Sequence, residues 1–219
     1  LKAMILAAGR GTRMGSLTDH CPKPLLSVGQ QTLIEHHIAA LAAMGINDVV
    51  INISYLADRI RQHLGAGERW SLRLHYSYEP EALETAGGIV KALPLLGSEP
   101  FLLVNGDVFL AQGHPQVEPL AAGDLAHLWL VDNPEHHPEG DFGLRQGRVV
   151  STEIDRLTFS GVSLLHPDLF AGMAPGPQRL APVLQEAINS GRVSGEYWQN
   201  AWLDVGTPER LQQARALCG

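Results

Sequence analysis

The sequence predicts an α/β fold in which a mixed, mostly parallel sheet carries helices on both faces. Three observations lead there. Short apolar runs alternate with segments of helical periodicity through the first half of the chain, the first run empties into a glycine-rich loop, and a later one ends in an Asn-Gly-Asp turn.

Each element has its own signal. Ala3 to Leu6 is a continuous apolar run, the pattern of a strand buried on both faces. Leu33, Ile34, Ile38, Leu41 and Met44 recur at helical spacing until Gly45 stops them. Val49 to Ile53 is a second buried strand, and Leu56, Ile60 and Leu64 mark a second helix closed by Gly65. Leu72, Leu74 and Tyr76 alternate as a strand does, a short helix is expected after Thr85, and Phe101 to Val104 is the next strand. This β-α-β-α-β-α-β order calls for right-handed crossovers and a Rossmann-like sheet. Further on, Leu125 to Val131 reads as a strand, "DFGLRQGRVVSTEI" as a hairpin around Gln146-Gly147, and Leu157 to Leu165 as another strand. A helix over Pro182 to Ser190 precedes Gly191. The last segment, "AWLDVGTPERLQQARAL", is a strand followed by a helix with Thr207 as N-cap and Pro208 at its first position. No repeat, low-complexity stretch or linker divides the chain, so a single domain over 1–219 is expected.

Composition narrows the function. An apolar content of 45% and a charged content of 18% are those of an ordinary globular protein. The net charge of −7, with no basic stripe to offset it, argues against a nucleic-acid partner. The apolar runs are too short to span a bilayer and the first residues lack a cleavable signal pattern, so no membrane association and a cytoplasmic location are expected. Cys21 and Cys218 form no C-x-x-C pair, which suggests neither a disulfide framework nor a zinc ribbon. The adjacent pairs His36-His37 and His136-His137 read as structural or solvated histidines, because neighbours on a helix point to different sides.

The loop after the first strand, "LAAGRGTRMGSLTDHCPKP" (residues 6–24), holds the strongest chemical signal. Gly9 and Gly11 allow backbone N–H groups to approach an anion closely. A phosphate loop of the G-x-x-x-x-G-K-[ST] type does not fit, since Ser16 follows Gly15, and a dinucleotide fingerprint finds Met14 in place of its third glycine. What marks this loop is its cations: Arg10, Arg13, and Lys23 between Pro22 and Pro24. A residue before proline is pushed to extended conformations, so Lys23 is expected on a stiff, extended strip. Ligands in such sheets gather at the carboxyl ends of strands, where this loop, Asp107 and Asp204 would meet. Carboxylates beside phosphate repel it unless a divalent cation intervenes, and Mg²⁺ commonly takes one or two carboxylates together with phosphate oxygens. Asp107 equally suits a turn, whereas Asp204, between Leu203 and Val205, is costly unless paired or metal-bound.

In their order and spacing, "LAAGRGTRM…PKP", "ETAGG", "NGD" and "WLDVGTP" resemble the sugar-1-phosphate nucleotidylyltransferases, from Leu1 to about Leu217. The resemblance implies a sheet of the nucleotide-diphospho-sugar transferase type and a reaction in which a sugar 1-phosphate attacks the α-phosphorus of a nucleoside triphosphate and pyrophosphate leaves. It implies Gly11, Thr12 and Arg13 on the triphosphate, Lys23 at the α-phosphate, and Asp107 and Asp204 on Mg²⁺, with Arg13, Lys23 and Asp107 as the catalytic group. Ala8 and Gly9 would approach the nucleoside, Glu79 and Thr85 the base, and Asn105 the ribose or sugar. Gly143 and Glu153 match positions where relatives hold the hexose, and Asp204 would also face the sugar phosphate. The bland readings are a helix cap for Thr85, a turn or bulge for Gly143 and a solvated face for Glu153.

Ile154 stands where many relatives carry a sugar-phosphate lysine, so another cation, Arg156 or the metal, must serve. Glu79 suits the single ring N–H of uracil and the paired donors of guanine alike. Over the whole chain the likeness implies UTP as donor and N-acetylmuramate 1-phosphate as acceptor, with Arg145, Arg148 and Arg156 available to the lactyl carboxylate. The left-handed β-helix of longer relatives is missing, so acyl transfer is not expected and a monomer or dimer is. A catalytically dead sensor could have lost Arg13, Lys23 or an aspartate, yet all are present, and an oxidoreductase would need the third glycine.

Overall fold

Alternation along two strands shows how the sheet comes to be covered on both sides. Ala3 and Ile5 face one apolar cluster and Met4 the other, while Leu102 and Val104 join the first and Phe101 and Leu103 the second. A computed structural model describes residues 1–218. The chain begins with β1 (Lys2–Leu6), a small ribbon of β2 (Ser27–Val28) and β3 (Gln31–Thr32), α1 (Leu33–Ala43), β4 (Asp48–Ile53), α2 (Ala57–Leu64) and β5 (Arg73–Tyr78). It continues through α3 (Glu84–Leu96), β6 (Phe101–Asn105), β7 (Val108–Leu110), β8 (Ala126–Val131), β9 (Phe142–Arg145), β10 (Arg148–Val150) and β11 (Arg156–Leu165). It ends with α4 (Leu180–Asn189), β12 (Val193–Tyr197), β13 (Trp202–Asp204) and α5 (Pro208–Leu217).

The nine-stranded sheet has the order β5-β4-β1-β6-β11-β8-β12-β10-β9. Its first four strands are parallel neighbours, and β11 and β10 run against the rest. The expected mixed, mostly parallel sheet is therefore observed. β11 changes register between Phe159 and Ser163, so its first residues pair with β9 and its last with β6. Residues of α1 and α2 pack into one cluster, and those of α3 and α4 into the other.

Two local expectations are corrected. α3 is a 13-residue helix that opens at Glu84, so Thr85 lies in its first turn and is not its cap. Gly87, Gly88 and Pro94 hide its periodicity, yet both glycines are there for close approach: a Cβ on Gly87 would meet the Gly176 carbonyl, and one on Gly88 the Glu79 carboxylate. Lys23 opens a single 3-10 turn, Lys23–Leu25, and only Pro22 before it is extended. Pro24 is tolerated there because the first residues of a helical turn need no N–H partner.

A third, smaller cluster joins Met14 of the glycine loop to Phe109 of β7, Val205 after β13, and Leu211 and Ala214 of α5. It fixes the loop against the β7–β13 ladder, which carries both aspartates. Behind β7 the His37 Nε2–H donates to the Val108 carbonyl at 2.8 Å, and the His114 ring lies 5.2 Å from that of His37. Burial pushes His37 down to about 4 and His114 to about 3. Between these values and the ordinary 6.5 only the unfolded chain takes up the protons, so stability falls as pH falls. Each histidine contributes about 1.4 kcal/mol of loss per pH unit in that window. Urea unfolding at pH 6 and pH 5 should show this fall, and His114→Phe should remove roughly half of it. An unchanged slope in the variant would contradict the assignment.

Candidate active site

The parallel strands β1, β4, β5 and β6 end on the same side of the sheet, and a cleft of about 370 Å³ opens there. Ala8 and Gly9 leave β1, Glu79 leaves β5, Thr85 stands in the first turn of α3, and Asn105 and Asp107 come from the end of β6; all six line the cleft. Its wall is closed where β1 meets β6: the Gly106 N–H donates to the Leu6 carbonyl at 2.9 Å, and a Cβ at Gly106 would collide with that oxygen.

Lys23 is buried, with its Nζ donating to Asp107 Oδ2 at 3.0 Å. Its aliphatic stem passes the backbone of Gly11, where a Cβ would sit 3.1 Å from Lys23 Cβ. The glycine is needed twice, since its φ of 68° is also one that other residues avoid. Asp107 keeps 44% of its side chain exposed toward the cleft, so the pair presents a cation and an anion at one edge.

Asp204 is brought next to the Asp107 backbone by strand pairing, outside the lining of the cleft itself. It lies opposite Val108 in the β13–β7 ladder, and the next N–H, of Val205, donates to the Asp107 carbonyl at 2.7 Å. Its Oδ1 lies 3.0 Å from His136 Nε2 and 3.2 Å from Arg210 Nη1, yet this buried oxygen has no aligned hydrogen bond. An incompletely satisfied carboxylate beside a second one is a donor set that suits a hard, oxygen-seeking cation such as Mg²⁺. Among the described residues no three His, Cys, Asp or Glu side chains converge to hold a metal unaided. A cation here would complete its shell with substrate phosphate oxygens and water.

Two residues at this edge escaped the sequence reading. His136, read above as structural or solvated, stands against Asp204. Arg210 sits in the first turn of α5, where a Glu would complete a capping box as Glu35 does with Thr32 in α1. A cation at that end of a helix opposes the helix dipole, and that misplacement was the available signal. The Gly206 backbone brings Arg210 and Arg13 together: a Cβ there would collide with Arg210 and lie 3.2 Å from Arg13 Nη2. Arg210 thus faces the Asp204 carboxylate with the Arg13 guanidinium beside the same glycine, two cations close together in a chain of net charge −7.

The remaining residues are placed as follows. Thr12 and Arg13 are exposed on the glycine loop, outside the lining of the cleft. Arg10 lies over the Tyr55 ring, 4.8 Å from its centre. Gly143 is buried in β9, where a Cβ would strike Thr152, and Glu153 is exposed between β10 and β11; neither lines the cleft. Arg148 is held by both oxygens of Asp124 at 2.8 Å, and Arg156 donates to the Glu139 carbonyl.

A parallel-stranded cleft with a glycine loop, a buried lysine and two adjoining aspartates defines a nucleotide-handling enzyme. A family model described as nucleotidyl transferase matches residues 2–150, and the chain belongs to that family. It is 47% identical to the N-acetylmuramate alpha-1-phosphate uridylyltransferase of Neisseria meningitidis, across 100% of this chain and 99% of the relative. A protein of the same name from Caulobacter vibrioides is 36% identical, with 98% and 95% covered. The mannose-1-phosphate guanyltransferase of Schizosaccharomyces pombe is 29% identical, and the match spans 95% of this chain but 62% of that protein. Among solved structures, a Bacillus anthracis protein assigned as a glucose-1-phosphate thymidylyltransferase superposes with a TM-score of 0.86 over 99% of this chain and 94% of its own. At 19% identity that likeness speaks for the fold.

Proposed function

We propose that the chain transfers the uridylyl group of UTP to N-acetylmuramate 1-phosphate, giving UDP-N-acetylmuramate and pyrophosphate for peptidoglycan recycling. The observation that carries this reading is the full-length 47% identity to a uridylyltransferase of that substrate, and a cleft lined by Ala8, Gly9, Glu79, Thr85, Asn105 and Asp107 supports it. A phosphate oxygen of the sugar attacks the α-phosphorus in line, the bond to the β-phosphate breaks, and pyrophosphate leaves with the bonding electrons. Such a transfer asks the protein for positioning and charge stabilisation. Ala8 and Gly9 hold the nucleoside, Glu79 and Thr85 address the base, and Asn105 meets the ribose or sugar. Gly11, Thr12 and Arg13 hold the triphosphate, and Lys23 turns from Asp107 to the α-phosphate. Asp107 and Asp204 would hold Mg²⁺, which when bound neutralises phosphate charge and polarises the α-phosphate. Gly143 and Glu153 complete the hexose side. Both substrates carry phosphate charges that do not cross a bilayer unaided, which puts the work in the cytoplasm.

Pyrophosphate release measured across UTP and GTP, with the 1-phosphates of N-acetylmuramate, N-acetylglucosamine, glucose and mannose, tests the substrate assignment. UTP with N-acetylmuramate 1-phosphate should be the best pair. Equal use of hexoses lacking the lactyl group, or a preference for GTP with mannose 1-phosphate, would overturn the assignment while leaving nucleotidyl transfer intact.

A further inference from the structure

Asn52 is a polar residue near the carboxyl end of a buried strand, "DVVINI", and is only 4% exposed. Its Oδ1 accepts the Ala7 N–H at 2.8 Å, and its Nδ2 donates to Glu79 Oε1 at 2.8 Å. The other Glu79 oxygen accepts the Leu83 N–H at 3.2 Å. An unbroken chain of hydrogen bonds thus runs from the start of the glycine loop, through Asn52 and Glu79, to the loop that leads into α3. Glu79 is 1% exposed, and its N–H is tied to the Ile53 carbonyl at 2.8 Å. α3 closes the relay from behind, because a Cβ on Gly88 would sit 2.6 Å from Glu79 Oε1 and 3.0 Å from Asn52 Nδ2. The carboxylate therefore has no room to swing away.

We propose that Asn52 is a positioning residue for nucleotide selection: through Glu79 it sets the base-facing loop at a fixed distance from the glycine loop. A buried amide and a buried carboxylate are costly in a strand end, and here they are held by the two backbone N–H groups that they tie together. Both termini of the relay, at Ala7 and Leu83, are N–H donors, so the polarity of the intervening groups is dictated. Asn52 must offer oxygen to Ala7 and nitrogen to the carboxylate, and both Glu79 oxygens must accept. The same logic makes the pair exchangeable in one way only. An Asp at 52 with a Gln at 79 would again accept from Ala7, bridge through one N–H, and accept from Leu83.

This inference rests on the reading that the cleft takes UTP, and wild-type activity tests that reading separately. Asn52→Asp alone brings two carboxylates to hydrogen-bond distance, and Glu79→Gln alone leaves one of two donors without an acceptor. Each should raise the KM for UTP about tenfold or more, while the double variant, which has the same base-facing group as Glu79→Gln and differs from it only in the restored relay, should bring the KM at least about threefold below that single variant. The KM for the sugar phosphate should stay near its wild-type value in all three. If the double variant is as impaired as the two single effects combined, or if sugar-phosphate KM rises in step with UTP KM, the proposal is overturned. A loss of thermal stability in the single variants with unchanged UTP KM would also overturn it. Should a single variant fail to fold, a folded double variant that still uses UTP supports the relay, and a double variant that fails to fold overturns it.

Discussion

Asp107→Asn and Asp204→Asn should each remove most turnover while the protein remains folded. The two residues adjoin along the backbone, because Asp204 and Val108 are partners in a ladder and the Val205 N–H is bonded to the Asp107 carbonyl. An amide in either place keeps that backbone pairing and the shape of the side chain but removes a charge. The phosphates would then meet a poorer cation site, and turnover should fall by at least about 10²-fold, the several kcal/mol that metal-assisted charge stabilisation supplies. Asp107→Asn also frees Lys23 from its partner, so UTP should bind that variant no more weakly in the absence of Mg²⁺. Steady-state kinetics with thermal melting separates the chemical loss from unfolding. Near-normal turnover in either variant would remove that residue from the metal site.

Lys23→Ala should lower kcat by about 10²–10³-fold, the usual worth of a fixed cation aimed at developing charge. Its effect on the KM for UTP should be much smaller, since the lysine is assigned chiefly to the transition state. The mounting of the side chain supports that division. Pro22 and Pro24 flank it, Gly11 passes directly over its stem, and Asp107 fixes the ammonium at 3.0 Å. Arg in its place would carry the same charge on a bulkier head against the Gly11 backbone and should restore little activity. If Lys23→Ala raised KM and left kcat unchanged, Lys23 would be a docking residue for the triphosphate.

Much of the sheet and one side of the site could be read from the residues. Ala3–Leu6, Val49–Ile53 and Phe101–Val104 are legible because parallel strands buried on both faces need unbroken apolar runs. α3 is longer than the short helix its pattern suggests because Gly87, Gly88 and Pro94 interrupt the helical signal, although Gly87 serves a contact with Gly176, far off in the chain, and Gly88 one with Glu79. β7 is a three-residue strand whose partner β13 lies nearly a hundred residues later, and no local pattern announces such a pairing. Lys23 and Asp107 each stood out by their surroundings, but their ion pair depends on the path of the loop. Glu79 is singled out only through the family likeness, and its hold on Leu83 and Asn52 comes from the β4–β5 register and the turn that follows. His136 carried no local signal, because only the loop after β8 brings it to Asp204.

The most direct measurement is the fate of label from UTP carrying ³²P at the α-phosphate or at the γ-phosphate, incubated with Mg²⁺, N-acetylmuramate 1-phosphate and the purified protein. The expected result is α-label in UDP-N-acetylmuramate and γ-label in pyrophosphate, both dependent on the sugar phosphate. Transfer of γ-label to the sugar product, or absence of any label transfer with this pair of substrates, would contradict it.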